Sequence, residues 1–430
     1  REITEMLLQF SVNNFRSIKD TATFSMLTSS KDEGKCFEVR NHNLLRSSII
    51  YGANASGKSN LLKAMAFMSR LVLNRYKIIQ STDQLPHDPY LLSTETEDKS
   101  STFEIVFFVG ETKYRYGFEI DSEVVYSEWL YADEKGKEAK LFYRDSEELD
   151  YVNPNKFKEG YGFFNKKEEK IKIAKNQLFI WKCDREDDAI ISKSILKWFN
   201  QFNMIDGMNH NGYISFTMKK MEDETFRKKI VELVATADIG INDIQIEEED
   251  ISQETIANLP FPDEIKAKIM SEKGLKSVSL NTIHQKFDQD GKAVGNVVFE
   301  LNDDESKGTK KFFAMSAPIL DTLQNGKILI IDELDASLHP ILTQHLIKLF
   351  HDEKINEKNA QLIFATHDTN LLKPELFRRD QIWLTEKDHY GATTIYSLAQ
   401  FKNVRKQEDF EKQYIQGKYG AIPYLGTFEF

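Results

Sequence analysis

Short, unbroken apolar runs interrupt this chain at three places. They are Ser48-Ile49-Ile50-Tyr51, the stretch from Ile328 to Ile331, and the Leu362-Ile363-Phe364-Ala365 segment that leads to His367. Runs of this length without polar alternation predict strands buried on both faces, as in a parallel sheet covered by helices. Elsewhere the period is two. Leu8, Phe10 and Val12 alternate near the start, and residues 103–108 and 114–120 flank Gly110 as a predicted β-hairpin. Residues 124–131 and 141–143 predict a second hairpin, turning at 134–137. Together these strands suggest an antiparallel lobe beside a buried sheet. Helical spacing appears over residues 60–69, 190–202 and 225–237. Residues 81–89 are turn-rich, and Pro260 and Pro262 mark a boundary before a charged helix over 263–273. The parallel sheet is expected to resume from Ser277, with a strand over 294–301. Its last strand is expected at 381–385, with 393–398 alongside. Neither sustained heptads nor internal repeats are visible, which argues against a long coiled coil.

The first apolar run opens directly onto Gly52-Ala53-Asn54-Ala55-Ser56-Gly57-Lys58-Ser59. A glycine-rich loop between a strand and a helix is a phosphate-binding loop. Its glycines let backbone N–H groups face a phosphate, and the new helix adds the positive end of its dipole. In that reading Lys58 reaches the β- and γ-phosphates and Ser59 holds Mg²⁺, with Asn60 opening the helix.

The second run ends in Asp332-Glu333. Open α/β sheets place ligands at the carboxyl ends of their strands. Asp332 is therefore a candidate to orient Mg²⁺, and Glu333 to polarise an attacking water. The plainer alternative is a pair of ordinary strand-end carboxylates. The third run ends in Thr366-His367, and His367 is a candidate contact for a γ-phosphate. Glu305-Ser306-Lys307-Gly308-Thr309 precedes another helical pattern. Ser306 and Gly308 could offer a hydroxyl and free N–H groups to an anion, or simply cap the helix.

In this order the motifs resemble the ABC-type ATPase heads of the SMC, Rad50 and RecF group. Within it they resemble the stand-alone bacterial AAA15 ATPases of phage-defence and abortive-infection loci. The resemblance rests on Asn14-Phe15-Arg16-Ser17, the loop at Gly52, residues 305–309, residues 332–340, and Gly417-Lys418-Tyr419-Gly420-Ala421-Ile422-Pro423. It covers both ends of the chain well and the middle poorly. The signature departs from Leu-Ser-Gly-Gly-Gln, with Lys307 for the first glycine and Thr309 for the glutamine. No Q-loop glutamine stands out; Gln80 and Gln84 are candidates. The resemblance implies an α/β ABC-type head that binds ATP and Mg²⁺ and works as a homodimer, with room for a larger assembly. Ser306 and Gly308 would then cap the γ-phosphate held by Lys58 of a second chain, with Asp335 at the interface. It also implies a separate effector, a toxin or nuclease.

Composition changes this picture little. The 430 residues suffice for two or three domains. The expected division is 1–150, the loop half of the head with its β lobe; 151–276, a mainly helical insertion; 277–400, the signature, acidic-strand and histidine half; and 401–430, a tail. That tail could form a basic turn near a ligand, or simply pack on the head. No long apolar run predicts a membrane span, and no secretory pattern opens the chain, where Met6 is a candidate start. Cys36 and Cys183 lack metal-ligand spacing and suit a reducing, cytoplasmic setting. A net charge of −11 argues against a surface built wholly for nucleic acid. One candidate patch exists, with Lys156, Lys158, Lys166, Lys167, Lys170, Lys172 and Lys175 interleaved with Phe157, Tyr161, Phe163 and Phe164. Glu159, Glu168 and Glu169 dilute it, and a solvated face with inward aromatics is the simpler reading. Three functional readings follow. The first is a defence-associated ATPase controlling an effector. The second is a DNA-repair or replication clamp of RecF type. The third is a scaffold that uses ATP as structural glue.

Overall fold

The computed structural model describes residues 5–28, 34–146, 148–164, 173–207, 211–237, 240–250, 256, 262–271, 276–405 and 408–423. The chain divides into two compact units, residues 1–208 with 321–430, and residues 209–320.

The first unit is built on two large sheets and a small three-stranded one, Leu27–Thr28, His42–Leu45 and Cys36–Val39. One has six strands in the order Phe202–Asp206, Ile328–Asp332, Gln361–Ala365, Ser47–Gly52, Ile382–Lys387 and Thr393–Ser397. Neighbours are parallel except the last pair, an antiparallel hairpin. The apolar runs supply its centre: every residue of Ser47–Gly52 and Gln361–Ala365 is buried. Helices Lys58–Val72 and Pro340–His351 pack on these strands and take them out of water. Parallel strands share a direction, so the residues that follow Gly52, Asp332 and Ala365 all emerge at one edge.

The second sheet is antiparallel, with seven strands in the order Glu148–Val152, Glu138–Asp145, Val125–Asp133, Thr112–Ile120, Ser101–Val109, Glu5–Asn13 and Ala22–Ser25. Both predicted hairpins are present in it. Burial alternates along Ser101–Val109, so one face carries most of the packing. That face contributes Phe103 and Phe107, and Phe107 stacks on Trp198 at 4.0 Å between ring centroids. Gln361 ties the two sheets together. Its amide accepts from Leu7 N at 2.8 Å and donates to Leu7 O at 3.1 Å and Leu45 O at 3.3 Å. A buried amide satisfied this fully fixes the register between layers.

The second unit contains helices Asn211–Lys220, Glu224–Ala237 and Asp263–Ser271, and the start of helix Lys307–Asn325. It also has an antiparallel sheet in the order Ile241–Asp250, Lys276–Phe287, Ala293–Glu300. This corrects one expectation: residues 277–301 do not resume the parallel sheet. Ala293–Glu300 is exposed along nearly its whole length, which a central parallel strand cannot be. The two compact units divide at 209 and 320. Residues 173–207 pack with the first unit because Phe179, Trp198 and Phe199 join its core. The helix expected over 190–202 is shorter, Ile191–Phe199, and Phe202–Asp206 becomes an edge strand. Lys166, Lys167, Glu168, Glu169, Lys170 and Lys172 of the lysine patch lie outside the described residues. Among its described members, Glu159 is committed to packing, taking N–H bonds from Ile191 and Ser192. Among the described residues no helix is long and apolar enough to cross a membrane.

One buried ion pair tests the antiparallel lobe. Glu128 and Arg144 are both fully buried, 3.7 Å apart. Glu128 also accepts from Tyr116 Oη at 2.9 Å and Ile180 N at 3.1 Å, and burial nevertheless raises its pKa. Arg144→Met would leave that carboxylate without its cation. The expected loss is about 3–5 kcal/mol in urea unfolding. A loss within about 1 kcal/mol would mean that the Glu128 carboxylate is satisfied by its hydrogen bonds without the guanidinium.

Candidate functional site

The loop after strand Ser47–Gly52 is shaped by close approach. A Cβ on Gly52 would meet Thr385 Oγ1 at 2.3 Å and Ser56 Oγ at 2.4 Å. Gly57, at φ +107°, precedes helix Lys58–Val72, and a Cβ there would meet Thr393 Oγ1 at 2.2 Å. Ala55 adopts φ +62°, a conformation costly for a residue with a side chain. The loop is held from outside itself. Ser56 Oγ bonds Thr385 Oγ1 at 2.6 Å, and Thr393 Oγ1 donates to Ser56 O at 2.8 Å. Asn54 and Ala55 form its exposed crest, with Ala53 partly covered.

Lys58 is buried beneath the loop. Its Nζ donates to Gly52 O at 2.8 Å and Ala53 O at 3.1 Å, and lies 3.4 Å from His367 Nδ1. Burial lowers its pKa to about 8, opposed by the carboxylates of Asp332, Glu333 and Asp335. His367 is also lowered, by burial first and by the Lys58 charge second. Its Nε2 stands 4.0 Å from Glu333 Oε1, with both side chains partly exposed. Lys58, Asp332, Glu333, Asp335 and His367 are therefore gathered at one edge of the sheet.

Glu333 occupies a left-handed conformation, φ +56°. It follows Asp332 at once, where the backbone turns away from the strand. Gly207 N donates to Asp332 O at 2.8 Å, and a Cβ on Gly207 would meet Glu333 O at 2.2 Å. Oδ1 of Asp332 and Oδ1 of Asp335 are buried without a hydrogen-bond partner. An orphaned buried carboxylate oxygen is costly unless something else satisfies it. A divalent cation would do so at Asp332, with Ser59 in the first turn of the neighbouring helix as a second ligand. Among the described residues no cluster of three or more His, Cys, Asp or Glu could hold a metal by itself. Mg²⁺ commonly binds through one or two carboxylates plus water and phosphate.

The remaining predicted residues fall elsewhere. Asn60 bonds Ser17 Oγ at 2.6 Å and so braces the helix against the Asn14-Phe15-Arg16-Ser17 segment. Ser306 lies in the second unit at the start of helix Lys307–Asn325. Its Oγ accepts from Thr309 N at 3.0 Å, a capping bond. Ser306 and Lys307 are exposed and Gly308 partly so. Gln80 and Gln84 are exposed and line no part of the cavity described next.

A cavity of about 430 Å³ opens beside the loop. Gly52–Ser56 and His367 form one side, and Thr385, Glu386 and Lys387 another. Tyr414, Ala421, Ile422 and Pro423 complete it. Sequence reasoning missed Thr385 and Thr393, which brace the loop from two strands more than 300 residues away. Only tertiary pairing reveals them. Ser17, in contrast, sat inside a motif already singled out.

Comparison with known proteins places this geometry. A family model described as "AAA domain, putative AbiEii toxin, Type IV TA system" matches residues 47–373. No curated protein matches the chain. Among solved structures, the SMC head domain from Thermotoga maritima aligns at 13% identity, covering 91% of this chain and 98% of that one, with a TM-score of 0.41. An Smc head domain with an extended coiled coil, bound to the C-terminal domain of ScpA derived from Pyrococcus furiosus, aligns at 11% identity over 91% and 96%, with a TM-score of 0.39. The recombination mediator protein RecF aligns at 13% over 91% and 98%, with a TM-score of 0.34. The family match takes in the phosphate loop, the Ser306 helix, the acidic strand and His367, and on it this chain belongs to the AAA-domain family described as the putative AbiEii toxin of a type IV TA system.

Proposed function

We propose that the chain is an ATP-hydrolysing enzyme of ABC type. Two chains would share composite sites, and the output would control a separate effector in bacterial anti-phage defence. The observation that carries the reading is the desolvated Lys58 ammonium under a phosphate loop, ringed by Asp332, Glu333, Asp335 and His367. A buried cation beside a nest of loop N–H groups suits a triphosphate, whose charge would offset its loss of hydration. Mg²⁺, when bound, neutralises phosphate charge, and Asp332 and Ser59 are the residues to hold it.

In the hydrolysis step water attacks the γ-phosphorus while the bond to the β–γ bridging oxygen breaks, leaving ADP and phosphate. Glu333 is the group to orient that water and take its proton. His367, with its pKa lowered, is a neutral imidazole at pH 7 and can hydrogen-bond the terminal phosphate. Ser306 and Gly308 have exposure that suits contact with a second chain. The family's printed description, a toxin of a toxin–antitoxin system, favours a defence role over a repair clamp. AAA15-type heads are the model for that role here.

Lys58 gives ATP binding a definite pH dependence. Its pKa in the free protein is about 8, and bound phosphate would raise it. Binding then takes up a proton in the window between the two values. Affinity should be flat below pH 7.5 and fall by up to about tenfold per unit above pH 8. Calorimetry in buffers of differing ionisation enthalpy measures the uptake. No proton uptake at pH 8.5 would mean that Lys58 is charged throughout.

Glu333→Gln keeps shape but loses the carboxylate. It should bind ATP normally and turn over about 10²- to 10⁴-fold more slowly. A parental rate removes Glu333 as the base and leaves His367 to be tested next.

Composite sites are tested by mixing. A Lys58→Ala chain and a Ser306→Arg chain should each be inactive, yet a mixed dimer holds one site with both groups intact. Activity should partly return on mixing. As a companion, excess Ser306→Arg added to the parental chain should depress activity beyond simple dilution. Strict proportionality without rescue would show each head working alone.

A further inference from the structure

Helix Phe410–Ile415 begins at Asp409, whose Oδ1 accepts from Lys412 N at 3.0 Å. The chain then turns sharply through Gly417 at φ +78°, Gly420 at +69° and Ala421 at +58°. Ala421 has a side chain, so that conformation must be held by its surroundings. Tyr414 Oη donates to Ala421 O at 2.9 Å, and Tyr396 Oη donates to Tyr419 O at 2.9 Å. At Gly420 a Cβ would meet Tyr396 Oη at 2.8 Å and Glu386 Oε2 at 3.1 Å. Tyr419 Oη donates to Glu408 at 3.1 Å, and both Tyr419 and Ala421 are buried. This segment is a fixed structure.

It is fastened at two points that matter. The Tyr414 ring lies 5.8 Å from that of Tyr51, the residue before Gly52. Thr369 Oγ1, two residues after His367, donates to Glu411 at 2.9 Å. Tyr51 Oη donates to Asp368 O at 2.7 Å and closes the circuit. Beyond those anchors the turn delivers Ile422, half-buried, and Pro423, exposed, to the lining of the cavity that Gly52–Ser56 and His367 also line. The turn thus presents partly exposed side chains to the same cavity as the phosphate loop.

We propose that residues 409–423 are part of the nucleotide site, with Ile422 and Pro423 forming the wall that faces a nucleoside triphosphate held on residues 52–59. This rests on the ATP-binding reading above. It adds a contact element that the phosphate-loop motif does not contain. Tyr414 is then a positioning residue, holding the turn through Ala421 O while its ring abuts Tyr51.

Charge placed at Ile422 reads the distance to the ligand without depending on packing. Ile422→Glu and Ile422→Lys remove the same apolar side chain and should melt at similar temperatures. Affinity for a non-hydrolysable ATP analogue with Mg²⁺, measured by calorimetry, should separate them. The Lys variant should bind about threefold or more tightly than the Glu variant at low salt, and the gap should close as salt is raised. The same pair at Ile415, which is exposed on the helix and lines no part of the cavity, should show a smaller gap. The same pair at exposed Pro423 gives an independent reading if Ile422 variants fail to fold. Equal affinities for the Glu and Lys variants, or a gap as large at Ile415, overturn the inference while the parental chain still binds ATP. A parental chain that binds no ATP overturns the proposed function and this inference together.

Discussion

The Lys58 ammonium is the group on which the rest of the site depends. It is desolvated, and a desolvated cation is tolerable only when carbonyls and carboxylates replace its water. Gly52 O and Ala53 O provide the first, and Asp332, Glu333 and Asp335, at and just beyond the end of strand Ile328–Asp332, provide the second. In that balance desolvation outweighs the carboxylates and brings the Lys58 pKa down to about 8. A triphosphate would tip that balance, so the site is poised to respond to the charge of its ligand. The parallel sheet is what makes this arrangement available. Residues 52, 332 and 365 are distant in sequence and adjacent at one edge because their strands share a direction.

Local strain accompanies that gathering. Ala55, Glu333 and Ser337 all take left-handed conformations near this edge, and Gly57 a more extreme one. Each such residue with a side chain costs on the order of 1–3 kcal/mol. The strands beneath are buried along their length and supply a rigid base against which the loops can be bent. At Glu333 the strain has a visible result. The backbone reverses immediately after Asp332, so consecutive acidic side chains serve different neighbours, one beside Lys58 and one beside His367.

Legibility in the sequence followed burial. Strands covered on both faces write themselves as unbroken apolar runs, and Ile328–Asp332, Gln361–Ala365 and Ser47–Gly52 were readable for that reason. The antiparallel hairpins were readable from alternation. Phe202–Asp206 was not, because an edge strand needs little apolar character and its aromatic start extends a helical pattern. Ala293–Glu300 misled in the opposite direction: Val294, Val297, Val298 and Phe299 suggest a core strand, yet the strand is largely exposed. At the site, loop and acidic residues were readable as local motifs. The threonines that brace the loop were not, and for the turn carrying Ile422 the sequence left contact with a ligand and plain packing both open. Their roles come from contacts across the fold, and no local spacing encodes those.

The second unit joins the first at a consequential place. The chain leaves one residue after Gly207, and Gly207 is wedged against the Asp332 and Glu333 carbonyls so closely that no Cβ would fit. Edge strand Phe202–Asp206 is held to the acidic strand in parallel register, Asp206 beside Asp332. The exit point therefore shares backbone contacts with Asp332 and Glu333. Helix Lys307–Asn325 returns the chain, and strand Ile328–Asp332 starts three residues later. Both covalent connections to residues 209–320 thus run into the strand pair that carries Asp332 and Glu333. A displacement of either connection would act on a backbone that is already strained at Glu333, where small rotations redirect the carboxylate. The phosphate loop, by contrast, is tied at Ser56 to Thr385 and Thr393, on the strands at the other side of Ser47–Gly52 from that pair.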